Sequence, residues 1–168
     1  MGEAKELTRL IWQGDRVLEI GCHHGFFTML MAQVVGRDGF ILGIEATPHN
    51  TVIAQSQVTL NNLGRTCMVL NRACSDTKGT SMLSNDSNAS VITEGNSRVI
   101  NVEAVTGEYL FENYGPFDVL KIDVEGFEGR VLAGCQTILA SRPKLALELH
   151  LPSLAKYGSS VETVSDKY

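Results

Sequence analysis

A chain of 168 residues, 43% hydrophobic and 20% charged, has the make-up of a soluble globular protein and the length of one domain, residues 1–168. No apolar run reaches the roughly 18–20 residues of a membrane span and no signal peptide opens the chain, so the expected location is cytoplasmic. A net charge of −5 argues against a dedicated nucleic-acid binder, and four scattered cysteines (Cys22, Cys67, Cys74, Cys135) without a Cys-x-x-Cys pair argue against a disulfide framework or a zinc site.

Apolar runs and helical patterns alternate along the chain. Residues 16–20 read as the first strand and 26–35 as the first helix, joined by Glu19-Ile20-Gly21-Cys22-His23-His24-Gly25. A strand at 40–46 follows, then a helix that starts near Pro48, runs to about Asn62 and closes at Gly64. Residues 68–75 read as a third strand, and 76–96 as a polar loop or short hairpin that contains two glycosylation-like patterns at Asn85 and Asn88. A half-exposed strand at 98–105, a short helix at 107–113, a buried strand at 117–124, a helix at 126–139 and a strand at 144–150 complete the series. Trp12 is expected to pack an amino-terminal helix against the sheet, and Phe26 and Phe27 to enter the core. Repeated strand–helix–strand units predict an α/β fold, a Rossmann-like, doubly wound and mostly parallel sheet. Its ligands sit outside the carboxyl ends of the strands, at the switch in strand order.

The first turn reads acid-x-Gly-x-x-x-Gly, whereas dinucleotide enzymes carry Gly-x-Gly-x-x-Gly. That difference points away from a pyrophosphate and toward a ligand with an ammonium and an adenosine, of which S-adenosyl-L-methionine is the commonest. Gly21 and Gly25 would admit close backbone approach, with Cys22 between them, and Glu19 would orient the loop and attract the ammonium. Glu45, ending the second strand beside Ala46, is placed to accept both ribose hydroxyls. Asp76, after the third strand, is a candidate for the adenine amino group, with Ala73 and Cys74 offering backbone contacts. Lys121 and Asp123 share one face of their strand, and Glu148 and His150 repeat the spacing on the next. Asp123, beside the cofactor loop, is a candidate cofactor contact as well; Asp123 or His150 is the candidate base, and Lys121 the candidate for lowering an acceptor pKa, with an ion pair between Lys121 and Glu148 the alternative reading of those two. Adjacent ligands on one turn seldom share an ion, so Cys22-His23-His24 predicts no metal.

From residue 16 to 150 the chain resembles the FkbM-type S-adenosylmethionine-dependent methyltransferases. The resemblance lies in Val17-Leu18-Glu19-Ile20-Gly21 through Gly25-Phe26-Phe27-Thr28, in Gly43-Ile44-Glu45-Ala46-Thr47-Pro48, and in Ala73-Cys74-Ser75-Asp76. It is strongest in Asp118-Val119-Leu120-Lys121-Ile122-Asp123-Val124-Glu125-Gly126-Phe127-Glu128, followed by Val131-Leu132-Ala133-Gly134. It implies methyl transfer, commonly to a hydroxyl on a sugar or small metabolite. Two departures stand out: His23 replaces the usual Asn, and Thr106-Gly107-Glu108-Tyr109-Leu110 replaces a Leu-Asp-Asp stretch. Only residues 151–168 follow the fifth main strand, too few for the antiparallel pair that usually ends such a sheet. The expectation is a fragment of a longer protein, or a partner chain or second copy closing the edge. A catalytically silent binding module is the rival from another class. A nucleic-acid methyltransferase ranks lower, with only Arg65, Arg72, Lys78 and Arg98 near the polar loop.

Overall fold

Alternating apolar strands and helices fold into the layers their order suggests. The computed structural model describes residues 2–84 and 99–165. Its first half runs α1 (Gly2–Leu10), β1 (Arg16–Ile20), α2 (Phe26–Val35), β2 (Phe40–Glu45), α3 (Pro48–Leu60), β3 (Cys67–Asn71), β4 (Ala73–Ser75) and β5 (Gly79–Ser84). Then come β6 (Val99–Thr106), α4 (Gly107–Tyr114), β7 (Val119–Ile122), α5 (Glu128–Ala133), α6 (Gln136–Ala140), β8 (Lys144–Leu147), α7 (Leu151–Leu154) and α8 (Val161–Ser165).

The main sheet is parallel throughout, in the order β3-β2-β1-β7-β8. Strand β1 lies at its centre, with Val17 opposite Ile41 on one side and Val119 on the other. The chain leaves β1 toward β2 and returns on the opposite side as β7, so the strand order switches at the carboxyl end of β1. Both faces are covered, as a parallel sheet requires. Leu18, Ile20, Leu42, Ile44, Leu120 and Ile122 pack with Leu110, Leu132, Ile138 and Val164 from α4, α5, α6 and α8. Val17, Ile41, Val69 and Val119 pack with Leu7, Met31, Val35 and Val58 from α1, α2 and α3. Each such fully buried aliphatic side chain contributes about 1.5–3 kcal/mol. Glu19 and Lys121 lie directly opposite each other in the register of β1 and β7. By alternation they point to the face covered by α1, α2 and α3.

Several expected elements differ in detail. Residues 68–75 form two strands in different sheets, parted at Arg72. Asn71 Nδ2 donates to the carbonyls of Glu45 and Ala46, closing the end of β2, and the chain then joins β6 in a second sheet ordered β4-β6-β5. The polar run contains β5, which is antiparallel to β6, a strand beyond that run. Residues 85–98, including Asn85, Asn88 and Arg98, lie outside the described residues.

The strand expected at 117–124 is only Val119–Ile122, so Asp123 stands beyond its end, and that expected at 144–150 stops at Leu147. The helix expected at 126–139 is two helices parted at Gly134-Cys135. A Cβ on Gly134 would sit 2.2 Å from the Ser75 carbonyl oxygen, so close packing against β4 sets the break. Trp12 is 67% exposed rather than packed, with Lys144 Nζ 4.0 Å from its ring centre; Leu7 and Ile11 anchor α1 instead. Among the described residues no helix is long and apolar enough to cross a membrane.

Candidate functional site

A cavity of about 400 Å³ opens at the carboxyl ends of β1, β2 and β7, where the strand order switches. The turn after β1 forms its floor. Gly21 has φ +89° and a Cβ there would lie 1.8 Å from the Asp123 carbonyl oxygen. The glycine is therefore dictated by the neighbouring β7 loop as well as by its own left-handed backbone. Gly25, at φ +84°, starts α2, and a Cβ there would lie 3.3 Å from Ala54, so it brings α2 against α3. The N–H groups of Gly21 and Cys22 both donate to the Ile44 carbonyl, at 2.8 and 3.1 Å, tying this turn to β2.

Glu45 is buried in the cavity wall with each carboxylate oxygen engaged. Oε2 accepts from the His23 N–H at 2.9 Å and Oε1 from the Thr47 N–H at 2.8 Å, with Asn50 Nδ2 3.5 Å from Oε1. One side chain thus ties the turn after β1 to the start of α3. A carboxylate oxygen has more than one acceptor direction, so these bonds leave room for ligand hydroxyls. His24 Nε2 lies 3.0 Å from Asn50 Oδ1. Ala46, Ala73 and Cys74 line the far wall. The Cys22 and Cys74 thiols are buried, and their pKa values are raised, by burial for Cys22 and by the hydrogen bond to Cys135 and burial for Cys74. Both therefore act as neutral packing groups.

Glu19 lies beneath the floor, fully buried, and accepts a hydrogen bond from Thr28 Oγ1 at 2.5 Å. Burial pushes its pKa up to about 7 against the opposing pull of Lys121. Its Oε1 accepts no hydrogen bond from any described residue. Lys121 is itself buried, pairs with Asp123 Oδ2 at 3.4 Å and lies 4.8 Å from the Phe27 ring centre. Among the described residues its ion pair is with Asp123, not with Glu148.

Asp123 borders the cavity where a second group of residues begins. His150 Nε2 lies 3.8 Å from Asp123 Oδ1 and 3.5 Å from Glu125 Oε2, while Nδ1 lies 2.8 Å from Glu128 Oε1. Asp123, Glu148 and His150 bring one donor atom each within 4.8 Å of one another. The structure thus gathers the four residues expected from β7 and β8. Glu125, which a longer strand would have set on the same face, joins them from the loop after β7 at φ +55°, and the structure adds the fully buried Glu128. Burial pushes the Glu148 pKa up, aided by the Asp123 charge. Burial pulls the His150 pKa down, but the Glu128 hydrogen bond and the Glu125, Glu128 and Asp123 charges outweigh it and leave the value raised.

Asp76 stands elsewhere. Among the described residues it pairs with Arg130 at 3.2 Å, accepts from Ser75 Oγ at 3.0 Å, and lies outside the cavity lining. Phe26, expected in the core, is 69% exposed at the cavity rim, whereas Phe27 is half-buried. Of the basic residues near the polar loop, Arg72 is paired with Glu103 at 3.0 Å. Thr28, Asn50 and Glu128 carry site contacts to which the sequence assigned no role. Thr28 is legible as the residue nine positions after Glu19 on the next helix, but nothing local marks Glu128 as the partner of His150.

A profile of the Methyltransferase FkbM domain matches residues 19–162. A protein-L-isoaspartate O-methyltransferase of Methanococcus aeolicus is 41% identical over 54 residues, which cover 32% of this chain and 24% of that protein. Among solved structures, a SAM-dependent O-methyltransferase from Thermotoga maritima has a TM-score of 0.62 at 17% identity, over 99% of this chain and 48% of that one. A methyltransferase FkbM from Methylobacillus flagellatus KT has a TM-score of 0.61 at 14% identity, over 93% and 44%. Fibrillarin of Aeropyrum pernix, solved with natively bound S-adenosyl-L-methionine, has a TM-score of 0.52 at 18% identity, over 98% and 63%. These structural likenesses show a shared fold, the Rossmann-like class I methyltransferase fold. The matched region spans about a quarter of the curated relative, and the chain covers somewhat under half of the Thermotoga and Methylobacillus structures and 63% of the fibrillarin.

Proposed function

We propose that this chain, which belongs to the FkbM methyltransferase family, binds S-adenosyl-L-methionine in the cavity after β1 and transfers its methyl group to a hydroxyl of a sugar or small metabolite. The observation that carries this reading is Glu45, a buried carboxylate tied to the Gly21 turn and facing a cavity of about 400 Å³ at the switch in strand order. A cavity of this size falls in the ordinary range for small-molecule pockets, roughly 300–1,000 Å³. The residues present suit its chemistry. Glu45 would accept the ribose hydroxyls, the Gly21–Gly25 turn would follow the methionine end, and Glu19, with its unengaged buried Oε1, would support the ammonium side through the turn. Ala46, Ala73 and Cys74 would form the adenine wall, with Phe26 at the rim.

Bound there, the cofactor would supply an electrophilic methyl carbon on a positive sulfur able to take up the carbon–sulfur electron pair. The protein's part is to align the acceptor and take its proton. Orientation of two bound reactants offsets several kcal/mol of barrier. A base at the hydroxyl adds about 10²–10⁴-fold. Asp123 lines the cavity and His150 lies 3.8 Å behind it, and this pair is where that proton would go. Lys121 balances Asp123 and Glu19 from beneath and would favour an ionised acceptor oxygen.

Calorimetric titration with S-adenosyl-L-methionine and S-adenosylhomocysteine tests the binding half. Transfer of label from tritiated S-adenosyl-L-methionine to a small-molecule extract tests the chemistry, and removing both members of the pair in the double variant D123N/H150Q should lower it by at least about 10²-fold. Binding without transfer to any acceptor would favour the silent module. Absence of binding by folded protein would end the proposal.

A further inference from the structure

We propose that Glu128 is a positioning residue that holds His150 with its Nε2 lone pair turned toward the acceptor side, making His150 rather than Asp123 the proton acceptor; this rests on the methyl-transfer reading above. Glu128 opens α5, is fully buried, and its Oε1 accepts from the Gly126 N–H at 2.9 Å. That bond identifies Oε1 as an acceptor oxygen. With Glu128 as the carboxylate, both of its partners at Oε1 are donors, so His150 Nδ1, 2.8 Å away, carries the hydrogen. In the neutral ring this leaves Nε2 without a proton, facing Asp123 Oδ1 at 3.8 Å and Glu125 Oε2 at 3.5 Å. Both of those residues line the cavity. Asp123 is already engaged by Lys121 and has the lower intrinsic basicity.

The charged groups around the imidazole are Asp123 and Glu125 from the loop after β7, Glu128 from α5 and Glu148 from the segment after β8. Lys121 meets this group through Asp123. The Glu128 hydrogen bond and the Glu125, Glu128 and Asp123 charges together raise the basicity of the imidazole against the opposing effect of burial. In the reaction the new carbon–oxygen bond forms as the carbon–sulfur bond breaks. The hydroxyl proton passes to Nε2, and the resulting imidazolium is balanced by Glu128 through Nδ1–H.

A plain structural role for Glu128, clamping the Gly126 turn, makes different predictions. Wild type, E128Q and H150Q are compared. The glutamine keeps an oxygen for the Gly126 N–H but removes the charge facing Nδ1. Nitrogen and carbon NMR of wild-type His150 should show the Nδ1–H form of the neutral ring. In E128Q the proton affinity of His150 should fall about tenfold, one pH unit in its midpoint. The pH dependence of label transfer from tritiated S-adenosyl-L-methionine to a small-molecule extract should rise through the His150 midpoint in wild type. That limb should move down by the same amount in E128Q and vanish in H150Q, with the plateau rate of H150Q down about 10²-fold.

An Nε2–H form in wild type overturns the inference without any variant. So does an unmoved midpoint in folded E128Q, or a wild-type limb retained by H150Q while transfer persists. Absence of transfer by the wild-type protein overturns the methyl-transfer reading and this inference with it.

Discussion

The two oxygens of Glu45 do separate jobs, and E45Q separates them. Oε2 takes the His23 N–H and Oε1 the Thr47 N–H, both at ordinary hydrogen-bond lengths in a buried setting. A glutamine supplies one acceptor oxygen, so whichever way it turns, its NH₂ group faces a backbone N–H. A buried donor left without an acceptor costs about 1–3 kcal/mol. For a chain of this length, each kcal/mol lowers Tm by roughly 2–4 °C, so E45Q should melt about 2–12 °C below wild type. Thermal unfolding followed by circular dichroism, without ligand, measures this directly. The same change frees the turn after β1 from α3 and removes the charge offered to the ribose, so calorimetric affinity for S-adenosylhomocysteine should drop at least about tenfold, or 1.4 kcal/mol. A Tm within about 1 °C of wild type would refute the clamp. A clear fall in Tm with unchanged affinity would refute the ligand role and leave Glu45 a structural residue alone.

Three further outcomes follow from the same geometry. G21A places a methyl group 1.8 Å from the Asp123 carbonyl oxygen at φ +89°, and should lower stability by at least about 2 kcal/mol in urea unfolding. Glu19 has its folded pKa raised from 4.5 to about 7, so the native state holds the proton more tightly than the unfolded chain. Its contribution to stability is therefore greatest at low pH and is lost as pH rises from about 4.5 to about 7, by about 3 kcal/mol in all. E19Q should abolish that part of the pH dependence, read as the difference between wild-type and variant urea curves; parallel curves would contradict it. D76A removes a part-exposed pair with Arg130 outside the cavity, so S-adenosylhomocysteine affinity should stay within about threefold of wild type and stability within about 1 kcal/mol.

Much of the cofactor corner is legible in the sequence because it is local. A five-residue apolar strand, a glycine turn and a helix lie within Arg16–Val35, and Gly43-Ile44-Glu45 before Pro48 sets a carboxylate at a strand end. The parallel sheet is equally legible, since strands and helices alternate at the right lengths. The Asp123–His150 neighbourhood follows once β7 and β8 are adjacent, because residues beyond two paired parallel strands emerge at the same edge.

What the sequence alone determined about this chain is its family, its layered α/β order, and the positions of Glu19, Gly21, Glu45 and Asp123 at strand ends. The tertiary structure alone decided how these groups are used. It showed that Gly21 is compelled by a carbonyl from β7, that residues 68–75 are shared between two sheets, that Lys121 pairs with Asp123, and that Trp12 and Phe26 remain exposed. It also joined Glu128 to His150, 22 positions apart. Local pattern fixes which residues a turn or strand can hold. Long-range contacts depend on how strands are ordered and how closely helices approach, and periodicity does not encode either of these.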